Sequence, residues 1–193
     1  MSQDEIETLK QEKEDRRSFK LEDTLTSNKI IILRQAIMNF IVGACMRRIQ
    51  QEKKAEKQKK YSFIIHVEKR KKIHTWQTTI VKKIRDLLIE SAAFDRELLD
   101  QLIKNSYCNL AKSLNVMGLE VPEFNEVHKR VYESLTYLKI TTVNSEPEAK
   151  QSLDENGQLK LSTPYNIFIG GQILDRGLTI ENLIGFYYGR KPN

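Results

Sequence analysis

Apolar positions follow two different periods along the chain, and these periods predict both strands and helices. Four short runs are apolar at almost every position, which is typical of strands buried on both faces of a parallel sheet. These runs occupy residues 61–67, 137–143, 165–169 and 184–188. Four longer stretches repeat their apolar residues at helical spacing. These stretches occupy residues 26–48, 73–91, 94–114 and 122–135.

Strands separated by helices indicate an α/β fold with a layered parallel sheet, whose ligands bind at the carboxyl ends of the strands. We predict about four strands, with a large helical segment of about residues 70–135 between the first two. Residues 1–25 alternate acids and bases without an apolar stripe, so we predict a charged helical or linker lead that need not belong to the core. The chain stops shortly after its last strand without a closing helix, so we expect a piece of a larger protein.

The positive charge is concentrated in one block. The 193 residues carry a net charge of +6, but eleven Lys and Arg between Arg47 and Lys72 oppose three Glu, which leaves the rest of the chain at −2. Such a block attracts nucleic-acid phosphates through counterion release. Lys69, Arg70 and Lys71, at the end of the first strand, are therefore candidates for nucleic-acid contact. A flexible, solvated connector explains the same composition.

Other features of the composition exclude whole classes of protein. No apolar run approaches the roughly 20 residues that span a bilayer, and the polar, acidic first 15 residues are unlike a secretory signal. We therefore expect a cytoplasmic protein without a membrane partner. Cys45 and Cys108 are far apart in the sequence, which favours two reduced, packed thiols over a disulfide.

The segment after the third strand carries the most informative motif. It contains Gly170-Gly171, then Arg176-Gly177 and Thr179. Paired glycines after a buried strand let a phosphate approach backbone amides that a Cβ would block. The guanidinium of Arg176 has a geometry suited to phosphate. A tight turn with one solvated arginine is the alternative interpretation.

Several segments together resemble the Z-one domain, a family of helicase-like proteins and endonuclease candidates from bacterial restriction-modification and phage-defence systems. Residues 169–181 look like the glycine-rich signature of that family, and Tyr187, Tyr188 and Arg190 follow where it has an aromatic pair and an arginine. Residues 62–67 resemble its strand ending in histidine. The resemblance spans most of residues 26–193.

The resemblance implies the second RecA-like domain of a superfamily-two helicase, here an incomplete RecA-like parallel sheet with a large helical insertion. Gly170 and Gly171 would carry backbone amides toward a DNA phosphate. Arg176, Gly177 and Thr179 would face the nucleotide between two domains. His66 would face the nucleic-acid groove, and a satisfied histidine at a strand end is the alternative.

The same resemblance implies ATP and Mg²⁺ in the intact parent only. The sequence has no G-x-x-x-x-G-K-[ST] loop, so a P-loop-bearing first RecA-like domain would have to be supplied elsewhere in the parent. We expect this chain alone to be inactive as an ATPase and to bind no cofactor tightly. Its expected partners are the DNA phosphate backbone, that first domain and other restriction or defence subunits.

Two further functions fit the sequence. One is a non-enzymatic module that binds nucleic acid or another subunit through the basic block and the helical segment. The other is a metal-dependent nuclease, for which residues 146–150 offer an acid-x-lysine triplet that chance also produces in a chain this rich in Glu and Lys. The three histidines lack zinc-ligand spacing. Trp76 is either a core residue or, on its basic helix, a stacking partner for a base.

Overall fold

The protein has an α/β fold with a four-stranded sheet, as the sequence predicts. The structure is a computed structural model, and it describes residues 1–66, 71–143, 146–171 and 179–189. Its helices are α1 (Gln3–Leu9), α2 (Ile31–Lys53), α3 (Lys71–Phe94), α4 (Arg96–Val116), α5 (Phe124–Ser134) and α6 (Glu146–Gln151). Its strands are β1 (Tyr61–His66), β2 (Leu138–Val143), β3 (Tyr165–Gly170) and β4 (Leu183–Tyr188). Each strand begins and ends within one residue of the predicted bounds.

All four strands are parallel, and their order across the sheet is β2-β3-β1-β4. The two inner strands, β1 and β3, are buried at every residue, which explains why their sequences are apolar at most positions. Because parallel strands run in one direction, their ends align. His66 pairs with both Gly170 and Tyr188, and Val143 also pairs with Gly170. We call this side of the sheet the carboxyl edge, and the opposite side the amino edge.

The main core lies between one face of the sheet and helices α2 to α5. The ring of Phe63 on β1, for example, stacks on Phe40 of α2 with centroids 5.3 Å apart. The three helices between β1 and β2 contribute Ile84, Leu99 and Val127 to this same core. The opposite face of the sheet has a smaller cluster, formed by Val143, Leu159 and Phe168.

Helix α2 is the central helix of the core. With the turn before it, the segment Asn28–Lys53 is long and apolar enough to cross a membrane by length and composition, and it is the one such helix among the described residues. This corrects the prediction that no stretch approaches a membrane span. The central helix of a large core can also be apolar on all sides. Most of α2 is buried inside the protein, which agrees with such a position.

The N-terminal lead packs on the core, although its sequence has no apolar stripe. Leu9, Phe19 and Leu25 are almost completely buried. The indole Nε1 of Trp76 on α3 donates to the carbonyl oxygen of Thr8 at 2.8 Å, so Trp76 is a core residue, as one of its two interpretations proposed. The sequence did not predict this packing, because three isolated apolar residues produce no helical or strand periodicity. Contacts through the backbone of the lead do not depend on its side chains, so they cannot be predicted from the sequence.

Both cysteines are free thiols, as predicted, but only one is packed. Cys45 is buried on α2, where its Sγ lies 3.5 Å from the hydroxyl of Tyr165. Burial raises the pKa of the Cys45 thiol, so the buried group is inert rather than nucleophilic. Cys108 on α4 is exposed, contrary to the prediction.

Candidate functional site

The carboxyl edge brings together two of the segments that the sequence singled out. His66 ends β1 in the middle of the sheet and is fully buried. Gly170 ends β3 directly beside it, and Gly171 follows as a half-buried residue. Neighbouring strands lie about 4.8 Å apart, so the glycine pair starts one strand spacing from His66.

His66 holds the end of β4 in place. Its ring stacks on that of Tyr188, with centroids 5.0 Å apart and planes 8° apart, and the ring of Phe186 lies 6.2 Å away. The main-chain oxygen of His66 accepts a hydrogen bond of 2.8 Å from the amide of Gly189. A Cβ at Gly189 would lie 3.1 Å from that oxygen, so the turn after β4 leaves little room for a side chain. The buried ring therefore positions its neighbours at the end of β4.

Helices α1 and α3 support the carboxyl edge from the side of the core. Gln77 Nε2 donates to the carbonyl oxygens of Leu9, at 2.9 Å, and Gly189, at 3.4 Å. The hydroxyl of Tyr187 donates to Glu5 Oε1 at 3.1 Å. Burial, followed by the nearby Glu5 charge, raises the pKa of Tyr187, so this hydroxyl stays a donor at neutral pH. These contacts hold the end of β4 in place against α1 and α3.

Of the remaining predicted site residues, the structure describes only Lys71 and Thr179. Arg176, Gly177, Lys69 and Arg70 lie outside the described residues, and Lys71 is the first residue of α3. Thr179 is exposed and pairs with Gln158, in the segment that enters β4 at the amino edge. A six-residue strand is about 20 Å long, so Thr179 and the glycine pair lie toward opposite ends of the sheet.

A second candidate site, lined by lysines, lies at the amino edge. Here a cleft of about 570 Å³ separates the connector before β1 from the residues that precede β4. Its cationic lining residues are Lys57, Lys59, Lys60 and Lys160, which we call the lysine cleft; Asp154 and Glu181 are also part of its lining. Lys60 Nζ donates to the carbonyl oxygen of Leu161 at 2.7 Å, which ties the connector to the cleft wall. The basic block predicted three of these lysines and missed Lys160, since only the fold brings it close.

Three ionisable side chains meet on the surface between α4 and α5. The hydroxyl of Tyr132 donates to Asp100 Oδ1 at 2.6 Å, and His128 Nε2 lies 2.7 Å from the same oxygen. The hydrogen bond from Tyr132 is the main cause that lowers the pKa of Asp100, and His128 lowers it further. Burial and the bond to Asp100 raise the pKa of Tyr132 to about 12. We interpret this cluster as a hydrogen-bonded connection between helices α4 and α5.

Metal-dependent chemistry gains no support from the part of the chain that the structure describes. No group of three or more His, Cys, Asp or Glu in that part is close enough to hold a metal ion. Residues 146–150, which carry the acid-x-lysine triplet, form most of the short helix α6.

The exposed face of β4 is a feature that the sequence did not reveal. Ile184, Phe186 and Tyr188 alternate with residues that face the helices, so they lie on the opposite face of the sheet. All three are exposed. The run of apolar letters in residues 183–188 predicts a buried strand, and nothing in the sequence indicates that one of its faces is uncovered.

Comparison with known proteins places the chain in a family. A family model described as the Z1 domain, the Z-one domain of the sequence analysis, matches residues 32–193. Neither a search of curated proteins nor a search of solved structures gave a match. The matched range contains all four strands, the lysine cleft and the carboxyl edge.

Proposed function

The chain belongs to the Z1 domain family, and from that premise we propose that it is a DNA-binding lobe of a helicase-like, ATP-dependent DNA translocase or endonuclease. In this proposal the lobe has the RecA-like arrangement of a second helicase domain, with helices α3 to α5 as its insertion. The parent acts in the cytoplasm, in a restriction-modification or phage-defence system. The observation that carries the proposal is the position of Gly170-Gly171, beside His66 at the end of a fully buried parallel strand.

The physical argument concerns the backbone at this edge. Ligands of parallel α/β sheets bind beyond the carboxyl ends of the strands, and glycines there leave amide groups accessible to a phosphate. His66 does not need to touch the DNA. By stacking on Tyr188 and anchoring Gly189 it keeps the ends of β1 and β4 fixed beside the glycine pair. A fixed amide loses less entropy on binding than a mobile one.

The nucleotide enters this proposal only through the intact parent. ATP and Mg²⁺ need a P-loop that the sequence lacks, and Thr179 lies toward the amino edge, away from the glycine pair. In this proposal the first domain of the parent therefore completes the nucleotide site. A P-loop domain encoded in the same gene, with DNA-stimulated ATP hydrolysis by the whole protein, is the expected finding. Salt-sensitive DNA binding without such a domain favours the non-enzymatic module.

The test is DNA binding by fluorescence anisotropy, comparing the unchanged chain with Gly171→Ala. A methyl group at position 171 obstructs the approach to the backbone amides, so we expect affinity to fall about tenfold, equivalent to about one charge-assisted hydrogen bond. Gly43→Ala, a glycine replacement inside α2, is the matched control and should bind as the unchanged chain does. Equal binding by both variants would falsify the placement of DNA at the carboxyl edge.

The lysine cleft supports the second candidate, the non-enzymatic nucleic-acid module. Its four lysines line a concave surface against two acids, whereas a connector used only as a tether would have no reason to face a cleft. Lys57, Lys59 and Lys160 are exposed and can be changed together to Gln. Lys60 is left unchanged because it ties the connector to Leu161.

Salt dependence distinguishes the two candidates. If the three lysines contact phosphates, the triple variant lowers the slope of log affinity against log salt by about 2 to 3. The control removes the same charge from helices α3 and α4, as Lys82→Gln, Lys104→Gln and Lys112→Gln, and should leave the slope nearly unchanged. Equal slopes for both triple variants would exclude the lysine cleft as a DNA contact.

A further inference from the structure

The sheet is covered unequally on its two faces. Helices α2 to α5 cover one face, and on the other face the cluster around Leu159 and Phe168 lies on β2 and β3. Strand β1 is buried at every residue as well, so the exposed part of this second face is the edge strand β4. There Ile184 is 41% exposed, Phe186 is 52% exposed and Tyr188 is 39% exposed. Parallel sheets normally have both faces covered, so a row of exposed apolar and aromatic side chains on such a sheet points to an occupant.

The two aromatic rings of this row are held in a fixed orientation. Phe186, Tyr188 and the buried ring of His66 have planes within 8° to 25° of one another. Tyr188 is stacked on His66, lies on the edge strand of the sheet and is partly exposed. Rings fixed in this way can take a further flat, unsaturated group without losing much side-chain entropy.

The charge around the row indicates what that group is. Strand β4 starts directly after Glu181 and Asn182, which line the lysine cleft, and its exposed row ends at Tyr188, level with Gly170. A ligand that follows β4 would therefore meet four lysines at one end and aromatic rings along its path, and its far end would lie two strands from the glycine pair on β3. A polyanion with flat bases is complementary to both the lysines and the aromatic rings, whereas an apolar protein surface carries no negative charge to pair with the lysines.

We propose that the exposed face of β4 binds single-stranded nucleic acid by stacking unpaired bases on Phe186 and Tyr188. The inference rests on the proposed DNA-binding function and specifies its substrate. Duplex DNA hides the faces of its bases in the helical stack, so an aromatic row can bind bases only where the strands are separated. The lysine cleft then contacts the phosphates of the strand whose bases lie on β4.

The test compares two oligonucleotides that carry the same phosphates. One is a fluorescein-labelled oligothymidylate of about 16 nucleotides, and the other is an abasic strand of the same length. The double variant Phe186→Leu with Tyr188→Leu should bind oligothymidylate about tenfold or more weakly, while its affinity for the abasic strand should stay unchanged. Quenching of a 2-aminopurine base in the oligonucleotide, the direct signal of stacking, should be lost.

The control replaces two aromatic residues elsewhere, Phe94→Leu and Tyr137→Leu. Both are more exposed than the residues of the row, at 86% and 58%, and they lie outside β4. The control variant should bind both oligonucleotides as the unchanged chain does. Circular dichroism checks that each variant is folded.

Each other outcome has its own meaning. If the unchanged chain binds neither oligonucleotide, the proposed DNA-binding function fails and this inference fails with it. If it binds both with equal affinity, or if the double variant binds oligothymidylate normally, DNA binding stands and base stacking is overturned. If the double variant only dissociates an oligomer seen by light scattering, the row is a contact between copies of the chain and the inference is overturned.

Discussion

Glu5 is the residue on which three elements depend. It is fully buried in the lead, and its carboxyl oxygens accept hydrogen bonds from the amides of Ile32, at 3.3 Å, and Leu33, at 2.8 Å. These are the second and third residues of α2, whose amides have no partner within the helix. The hydroxyl of Tyr187 on β4 donates to the same side chain. Glu5 thus caps α2 from a distant part of the chain and joins the helix to the edge of the sheet.

Replacing Glu5 with Gln should therefore destabilise the protein by about 2 kcal/mol. The amide keeps the size of the side chain, but it loses the charge that favours a helix N-terminus and presents a donor where three donors already meet. Urea unfolding followed by circular dichroism measures the difference. Glu7→Gln on the exposed side of α1 is the matched control and should change stability by less than about 0.5 kcal/mol. A similar loss in both variants would show that Glu5 has no special role.

Asp100 gives the stability of the protein a defined pH dependence. Its pKa in the folded protein is lowered from the ordinary value of 3.8, first by the hydrogen bond from Tyr132 and then by His128. A lowered pKa means that the stabilisation is fully present above about pH 4 and is lost as the pH falls through the folded value. Asp100→Asn should cost about 1 kcal/mol at neutral pH, because the group is partly exposed, and the cost should shrink as the pH falls through the lowered pKa.

Urea unfolding at a series of pH values between neutral and acid checks this prediction. Asp86→Asn is the control, since Asp86 is an exposed carboxylate that pairs with the adjacent Arg85. A cost for Asp100→Asn that stays constant as the pH falls would contradict the proposed cause.

At the scale of elements, the same glycine-to-alanine change should have opposite effects in β4 and α2. A Cβ at Gly185 would lie 2.5 Å and 2.8 Å from ring carbons of Phe63, and that ring cannot retreat because it stacks on Phe40. Gly185→Ala should therefore cost about 1 to 3 kcal/mol. A Cβ at Gly43 meets Leu110 Cδ1 at an ordinary 3.6 Å, so Gly43→Ala should gain about 0.5 to 1 kcal/mol of helix stability. Thermal unfolding should move in opposite directions, and a shift of the same sign in both would refute the packing argument.

The elements themselves could be predicted from the sequence, but their surroundings could not. Strand bounds follow from short apolar runs, because a strand buried on both faces needs apolar residues at consecutive positions. The same rule is wrong about the burial of β4: its apolar run predicts a strand buried on both faces, although Phe186 is exposed. The missing signal is non-local: whether a face is covered depends on residues far along the chain. Lys160 and Glu5 were missed for this reason, since each acts through elements more than 25 residues away.

At the scale of the whole molecule, the position of the covered and uncovered surfaces is the informative feature. The lead and four helices form one continuous core with one face of the sheet. The glycine pair, the exposed row on β4 and the lysine cleft lie outside that core, around the edge strand β4 and both ends of the sheet. Residues that stabilise the fold and residues proposed to bind nucleic acid are therefore largely different. Variants of the proposed interface should accordingly lose binding without losing the fold.

The contacts of the N-terminal lead indicate that the folded domain begins before the residues matched by the family. The family match starts at residue 32, yet Leu9, Phe19 and Leu25 are buried in the core, and Glu5 caps α2. Three buried apolar side chains at about 1.5 to 3 kcal/mol each, with the cap, amount to a large part of the stability of a typical domain. A chain that lacks residues 1–25 should therefore unfold at a much lower urea concentration, or fail to fold cooperatively.

Trp76 reports the same event locally, because it is the one tryptophan of the chain and its Nε1 donates to Thr8. Removal of the lead exposes the indole, so its fluorescence emission should shift to longer wavelength even under conditions where circular dichroism still shows helix. The control changes two exposed residues of the lead, Lys13→Ala and Arg17→Ala, and should leave the emission unchanged. If the shortened chain keeps both its unfolding midpoint and its emission wavelength, the lead is a separate appendage and the unit begins near residue 26, as the sequence pattern alone predicts.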